Sequence, residues 1–172
     1  DLQAPYLFNY VGAPSKTQHW VRSIYSQETW NRYIATGSTH EYPSGGGEFT
    51  PPIKTRVFTN SPRGFLPTMD NDTGTMSSTF VAAAMGLFPV LAGSDEYQIG
   101  TPFFENVRID YPSGRELDIS AEGVSPDAYY VQSASLNGAP FDRTWVTYDQ
   151  LTAGGELAFV MGEEPSEWAA DS

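Results

Sequence analysis

The chain has 172 residues, a formal net charge of −12 from nine basic against 21 acidic residues, 40% hydrophobic and 14% aromatic content, and no cysteine. That length suits one domain of ordinary size or part of a larger one, and the apolar content suffices for a packed core. The acidic balance argues against nucleic acid and anionic membranes as partners, and the lack of cysteine excludes disulfides and thiolate metal sites, which leaves neutral ligands, cations and sugars. No apolar run approaches the roughly 20 residues that span a bilayer. The chain begins at Asp1 and carries no signal peptide at that end, so it is expected to be a processed or excised piece with any targeting segment upstream.

Along the chain, Trp20, Val21, Ile24, Tyr25 and Trp30 recur at helical spacing. This predicts an amphipathic helix over residues 16–35, opened between Lys16 and His19 and closed by Gly37. Residues 38–67 are rich in Gly, Pro, Ser and Thr and contain Gly45-Gly-Gly47, Pro51-Pro52 and Ser61-Pro62. They read as a long loop of the kind that serves as a functional lid or a surface excursion. A second helix is expected over residues 76–87, where Phe80, Val81, Ala83, Ala84 and Leu87 give apolar sides in several directions, as in a helix buried between neighbours. Pro89 is expected to stop it.

From Tyr97 onward the period changes to two: Val107, Ile109 and Tyr111, then Leu117 and Ile119, Tyr129-Tyr-Val131, Trp145-Val-Thr147 and Leu157-Ala-Phe159-Val160. Pro112-Ser-Gly114, Asn137-Gly138 and Gly154-Gly155 punctuate these runs at hairpin-like intervals. The fold class is therefore α+β, with a helical part over 1–92 and an antiparallel β region over 93–172. Two helices cannot enclose a core of their own beside such a sheet, so the helical part is expected to complete a larger helical assembly.

The residues with the most chemistry are Asp70 and Asp72, two positions apart in a loop ahead of the second apolar run. Carboxylates at a helix N-terminus are favoured by its exposed N–H groups and dipole, so capping is one reading. Paired acids are also the working parts of glycoside hydrolysis, although spacing alone favours capping. Asp70-Asn-Asp72-Thr-Gly74 superficially resembles a calcium-binding EF-hand loop, but the Gly falls one position early and no Glu follows at the required distance. His19 and His40 lie too far apart for a zinc pair and read as helix-surface and loop residues. Trp20, Trp30 and Trp145 could stack on sugar, yet their spacing favours core packing. Asn71-Asp-Thr73 fits a glycosylation sequon in a poor place for an acceptor. The acidic stretch from Glu163 to Asp171 reads as a solvated end.

Several ordered blocks resemble one family. Pro5-Tyr-Leu-Phe-Asn-Tyr-Val-Gly-Ala-Pro-Ser-Lys-Thr-Gln18 and Met69-Asp-Asn-Asp-Thr-Gly-Thr-Met-Ser-Ser78 resemble two signatures of the glycoside hydrolase family 92 α-mannosidases. Ala84-Met-Gly-Leu-Phe-Pro-Val90, Tyr97-Gln-Ile-Gly-Thr-Pro-Phe103, Gln132-Ser-Ala-Ser-Leu-Asn-Gly138 and Gly154-Gly-Glu-Leu-Ala-Phe-Val-Met-Gly162 continue the likeness in order. The resemblance implies the last helices of an (α/α)6 barrel followed by the terminal β region of a secreted bacterial enzyme. It implies a calcium-dependent, inverting exo-α-mannosidase acting on mannose-containing glycans, with the general acid in the upstream N-terminal part of the same polypeptide.

On these positions the resemblance assigns Asp70 and Asp72 as the general-base carboxylates, with Asp72 favoured as proton acceptor. It makes Gln3 a candidate calcium ligand, with Asp72 as a further contributor, and Lys16 a substrate-binding cation. Ser15 departs from the family pattern, which commonly has tryptophan there, and the loop over 38–67 is longer than usual. Two alternatives accompany this reading. Some actinobacterial members resemble uncapping enzymes that cleave mannose-1-phospho-6-mannose, and the β-rich half could instead be a non-catalytic carbohydrate-binding or packing module.

Overall fold

A computed structural model describes residues 2–34, 47–59 and 72–172. They pack as two units, Asp1–Val21 with Thr79–Ser172, and Arg22–Ser78.

The first unit opens with a 3-10 helix, Ala4–Val11, that starts with a proline in its first turn and ends at Gly12 with φ +67°. A side chain at Gly12 would place its Cβ 2.5 Å from the Ala170 carbonyl oxygen, so glycine is required by both torsion and space. The helix α1 (Pro14–Ser26) follows. Within this unit Pro14, Thr17, Gln18 and Val21 are buried at i, i+3, i+4 and i+7, one helical stripe. Two of the four are polar. Gln18 resolves its burial by accepting a hydrogen bond at Oε1 from the Val131 N–H, 3.1 Å away.

The helix α2 (Thr75–Met85) ends earlier than Pro89 would dictate. Gly86 adopts φ +84° and donates to the Ala83 carbonyl, the left-handed glycine stop of a helix C-terminus. A Cβ there would meet the Pro102 ring at 2.8 Å. The freed residues form the short strand β3 (Leu87–Phe88), which pairs antiparallel with β4 (Glu96–Ile99). Beyond β4 in the same sheet lies β9 (Trp145–Thr147).

The larger sheet has the strand order β5-β6-β10-β7-β8. Its members are β5 (Asn106–Asp110), β6 (Glu116–Glu122), β7 (Tyr130–Leu136), β8 (Ala139–Pro140) and β10 (Gly155–Gly162). The β5–β6 and β7–β8 pairs are the expected antiparallel hairpins. Asn137 and Gly138, both at positive φ (52° and 79°), form the second turn, and Asn137 Oδ1 accepts from the Glu156 N–H at 2.9 Å.

A wholly antiparallel region is corrected by β10, which runs antiparallel to β7 but parallel to β6 from Gly155↔Leu117 to Val160↔Glu122. Parallel neighbours need a crossover, and the chain supplies one through β9 and the short helix α3 (Tyr148–Thr152). A reciprocal capping box of Thr147 and Gln150 starts that helix. The core lies on the inward residues of this sheet: Leu117 and Ile119, Val131, and Leu157 and Phe159, packed with Ile99, Val146 and Trp168.

In the second unit the expected helix over 16–35 is cut short. α1 stops at Ser26, and Glu28–Ile34 forms β1, which pairs antiparallel with β2 (Gly47–Arg56). Thr29, Trp30, Tyr33 and Ile34 are good strand residues, and ladder pairing with β2 outweighs the helical spacing of Trp30. The same pairing replaces the middle of the expected loop over 38–67 with a strand; residues 35–46 and 60–71 lie outside the described residues. Pro51 and Pro52 are tolerated because the register shifts between Asn31 and Tyr33, so that no ladder partner needs their missing N–H groups.

Two local features of this unit have measurable consequences. Tyr25 stacks on Phe58 with ring centroids 5.2 Å apart, and burial pushes its phenol up to about 12. A folded-state value above the unfolded one of about 10 means that the native state holds its proton longer. Stability is therefore fully present below about pH 10 and falls as pH rises toward 12. Tyr25→Phe should remove that component of the alkaline loss while leaving neutral-pH stability nearly unchanged, as read by urea titrations across pH 8–12. The second feature is Thr73, a β-branched residue at φ 51° and ψ 25°. Such a conformation costs on the order of 1–3 kcal/mol. Thr73→Gly should raise stability by about 1 kcal/mol in the same titration, and a loss instead would show that the threonine side chain holds the turn.

Candidate functional site

The two acids that the sequence singles out fall at the edge of what is described. Asp70, with the neighbouring Asn71, lies outside the described residues, as does His40. Asp72 opens a 3-10 turn, Asp72–Gly74, through its backbone, and its side chain also lies outside them. The turn leads into α2, which has no acidic residue in its first turn. Gly74 at φ +81° immediately precedes it, so Asp72 stands ahead of the position flanking the α-helix. Ser78 Oγ donates to the Gly74 carbonyl at 3.0 Å, fixing the join from the helix side.

Gln3 and Lys16 are both described. Gln3 occupies the residue before the 3-10 helix, where its carbonyl accepts from the Tyr6 N–H at 2.9 Å and its side chain does not cap the helix. It is exposed. Lys16 is exposed in the first turn of α1, with Nζ 5.8 Å from the centroid of the Phe8 ring. The adjacent Thr17 and Gln18 point the other way, into the core. The Lys-Thr-Gln block thus divides into one outward cation and two inward anchors.

What holds this region is Asn9, which sequence reasoning passed over. It is buried, and its Nδ2 lies 3.0 Å from Gln98 Oε1, 3.0 Å from the Ile99 carbonyl and 3.4 Å from the Thr144 carbonyl. Tyr6 adds a near-parallel stack on Phe88, centroids 4.8 Å apart at 13°. A 3-10 helix with an asparagine facing the core is the available sequence signal, and it is visible only once Tyr6 and Asn9 are seen to be on one face.

The tryptophans do not all pack as their spacing suggests. Trp30 on β1 and Trp20 on α1 are exposed, and Trp145 is half-buried beneath the Arg143 guanidinium, 4.4 Å from the ring centroid. On α1 the buried stripe already consists of Pro14, Thr17, Gln18 and Val21, which leaves Trp20 with Lys16 and His19 on the outer side. His19 meets Trp20 edge-on at 5.3 Å and 74°. Its Nδ1 lies 3.4 Å from the Tyr129 hydroxyl, which in turn donates to the Tyr130 hydroxyl at 3.4 Å. Burial and the Tyr129 hydroxyl push the Tyr130 phenol well above the ordinary tyrosine range, so it stays neutral.

Elsewhere in the first unit an apolar cavity of about 170 Å³ is lined by residues including Met85, Leu87, Tyr97, Ile109, Tyr111 and Leu151. No carboxylate lines it; its titratable groups are the phenols of Tyr97, Tyr111 and Tyr148. Among the described residues no group of three or more His, Cys, Asp or Glu is placed to hold a metal ion. No helix among them is long and apolar enough to cross a membrane.

Comparison with known proteins places this geometry. Residues 42–163 match the model of the Glycosyl hydrolase family 92 catalytic domain. The whole chain superposes on the family 92 glycosyl hydrolase CcMan5 with a TM-score of 0.91 and 63% identity, covering 22% of that chain. It matches the Bacteroides thetaiotaomicron family 92 α-mannosidase BT3965, solved with mannoimidazole, over 99% of its length at 27% identity and a TM-score of 0.77, covering 18% of that chain. The inverting mannosidase BT2199 of the same organism gives 29% identity and a TM-score of 0.75, again over 99% of this chain and 19% of that one. An uncharacterized secreted glycosidase of Arthroderma benhamiae is 38% identical over 104 residues, 58% of this chain and 13% of its own length. The chain therefore spans about a fifth of the length of its solved relatives. With a family model matching residues 42–163 and a fold shared from end to end with solved members, the chain belongs to glycosyl hydrolase family 92.

Proposed function

We propose that the chain is the C-terminal part of a secreted, calcium-dependent, inverting exo-α-mannosidase that removes terminal α-linked mannose from glycans. The observation that carries this reading is the likeness over essentially the full chain to solved mannosidases of the family, one of them described as inverting. The reading takes α1 and α2 as the last helices of an (α/α)6 barrel, completed by the upstream part of the same polypeptide, which also supplies the general acid. Secretion is supported by the name of the fungal relative.

In this mechanism Asp72 accepts the proton of a water that attacks the anomeric carbon on the face opposite the leaving group. Asp70 orients that water or raises the pKa of its partner through like charge. Lys16, exposed in the first turn of α1, hydrogen-bonds a sugar hydroxyl or a negatively charged leaving group. The strained backbone at Thr73 follows directly on Asp72 in the chain.

Calcium needs six to eight oxygen ligands. The amide oxygen of Gln3 is of the right chemical kind. No carboxylate cluster among the described residues completes a set, so the other ligands are drawn from Asp72 and from outside those residues. When bound, the ion would polarise and orient mannose hydroxyls.

Two measurements on the complete polypeptide test this reading. Asp72→Asn should lower kcat for mannose release by about 10²–10⁴-fold at unchanged thermal midpoint. Near-normal turnover would move the base to Asp70 or upstream, and parallel assay on mannose-1-phospho-6-mannose separates a sugar from a phosphate leaving group. Gln3→Ala should weaken calcium binding by about 10-fold in a calorimetric titration, and unchanged binding would remove Gln3 from the ligand set.

A further inference from the structure

We infer that residues 166–172 are a clamp that fixes the start of α1, and that Trp168 is a positioning residue acting through this clamp on substrate binding at Lys16. The inference rests on the role proposed for Lys16 above.

Glu163, Glu164, Glu167 and Asp171 are exposed, as a solvated end requires, but the chain between them is anchored. Ser166 Oγ donates to the Val131 carbonyl of β7 and accepts from the Trp168 N–H at 3.1 Å. Trp168 is buried, meets the Phe159 ring edge-on at 6.4 Å and 88°, and donates from Nε1 to the Phe141 carbonyl at 2.9 Å. Packing and a directional bond together give the indole a single seat. Ala169 follows at φ +55°, a left-handed torsion that a residue with a Cβ seldom adopts, and it too is buried. Ser172 closes that turn: its N–H and its Oγ donate to the Ala169 carbonyl at 3.3 and 2.8 Å. The same Oγ accepts from the Thr144 N–H at 3.3 Å. Strained backbone of this kind persists where surrounding contacts over-determine it.

The turn delivers the Ala170 carbonyl to Gly12, where a Cβ would lie 2.5 Å from its oxygen. Gly12 is the corner between the 3-10 helix and α1. From that corner to Lys16 the backbone is stiff, because the Ala13 N–H donates to the Phe8 carbonyl and the Lys16 N–H to the Ala13 carbonyl, both at 3.0 Å. Thr144 joins the two sides: its carbonyl accepts from Asn9 Nδ2 at 3.4 Å, while its N–H meets Ser172. The corner is thus held by Asn9 on one side and by residues 170–172 on the other. A shift of Ala170 would move the first turn of α1 and, with it, the direction of Lys16 Nζ. All of these contacts are made inside the first unit, so none depends on what covers the outer side of α1 in the complete polypeptide.

The test uses the complete polypeptide and two variants that reach the contact from opposite sides. Trp168→Ala removes the anchor. Gly12→Asn inserts a Cβ against the Ala170 carbonyl while keeping a residue that tolerates the left-handed torsion, and it decides the matter where Trp168→Ala fails to fold. Either variant should speed amide hydrogen exchange at residues 8–18 by about 10-fold or more relative to wild type. KM for a linear oligomannose should rise by about 10-fold with kcat within about twofold. In a Lys16→Ala background Gly12→Asn should add nothing further to KM, because the clamp acts through that side chain. Unchanged exchange at residues 8–18 overturns the clamp. Faster exchange with an unchanged KM, or with a KM effect that adds to that of Lys16→Ala, overturns the positioning role. An unchanged KM in Lys16→Ala alone removes Lys16 from substrate binding, and no mannose release by the wild type overturns the mannosidase reading; in both cases the exchange measurement still decides the clamp.

Discussion

The buried carboxamide of Asn9 is the interaction on which the first unit's arrangement rests. Its Nδ2 reaches the Gln98 side chain and the carbonyls of Ile99 and Thr144, drawing together the 3-10 helix, the end of β4 and the approach to β9. The Thr144 carbonyl also accepts from the Ile99 N–H at 2.7 Å, so the carboxamide reinforces a backbone bond already made there. Its own Oδ1 is buried without a partner among the described residues, which makes the arrangement costly to form. Because Gly12 and Pro14 follow at once, the direction set at Asn9 is passed rigidly to α1. The inward placement of Thr17 and Gln18 and the outward placement of Lys16, His19 and Trp20 are then consequences of helix geometry.

Where burial alternates cleanly, sequence and structure agree. The strands around Leu117 and Ile119 and around Leu157 and Phe159 fall where period-two spacing puts them, because each has one face on a shared core. The disagreements have identifiable causes. The helix over 16–35 ends at Ser26 because β1 finds a partner in β2, a contact between segments that a local window cannot register. The strand β2 is masked by its own Pro51-Pro52, which sits opposite a register shift. β10 is readable as a strand but not as a parallel one, since direction depends on the crossover that precedes it. Trp20 counts as apolar in any moment calculation, yet its helix already buries a polar stripe of Thr17 and Gln18 that composition does not flag. Asn9 was the least legible of all, since nothing about one asparagine in a turn announces three long-range partners.

The candidate chemistry and the well-formed structure lie in different kinds of sequence. The proposed base residues belong to a polar stretch of sequence ahead of α2, next to Thr73 with its positive φ. The sheet and the 3-10 helix supply rigid support without acids in their interior. This division separates the packed framework from the residues proposed to carry the chemistry. It also accounts for how the family resemblance could be read from blocks at both ends of the chain, since the support and the loop are each specified locally.

The place of β10 has a bearing on how the molecule is made. It is the last of the strands along the chain, yet it lies between β6 and β7 and hydrogen-bonds to both. During synthesis the hairpins β5–β6 and β7–β8 can form as soon as they emerge, but each must wait with one open edge until residues 155–162 arrive. Open edges of apolar strands are templates for pairing with other chains, and non-local pairing is slow compared with hairpin closure. Completion of the sheet is thus a late, all-at-once event, and a ribosome that stalls before residue 155 leaves a nascent chain with two strands seeking the same missing neighbour.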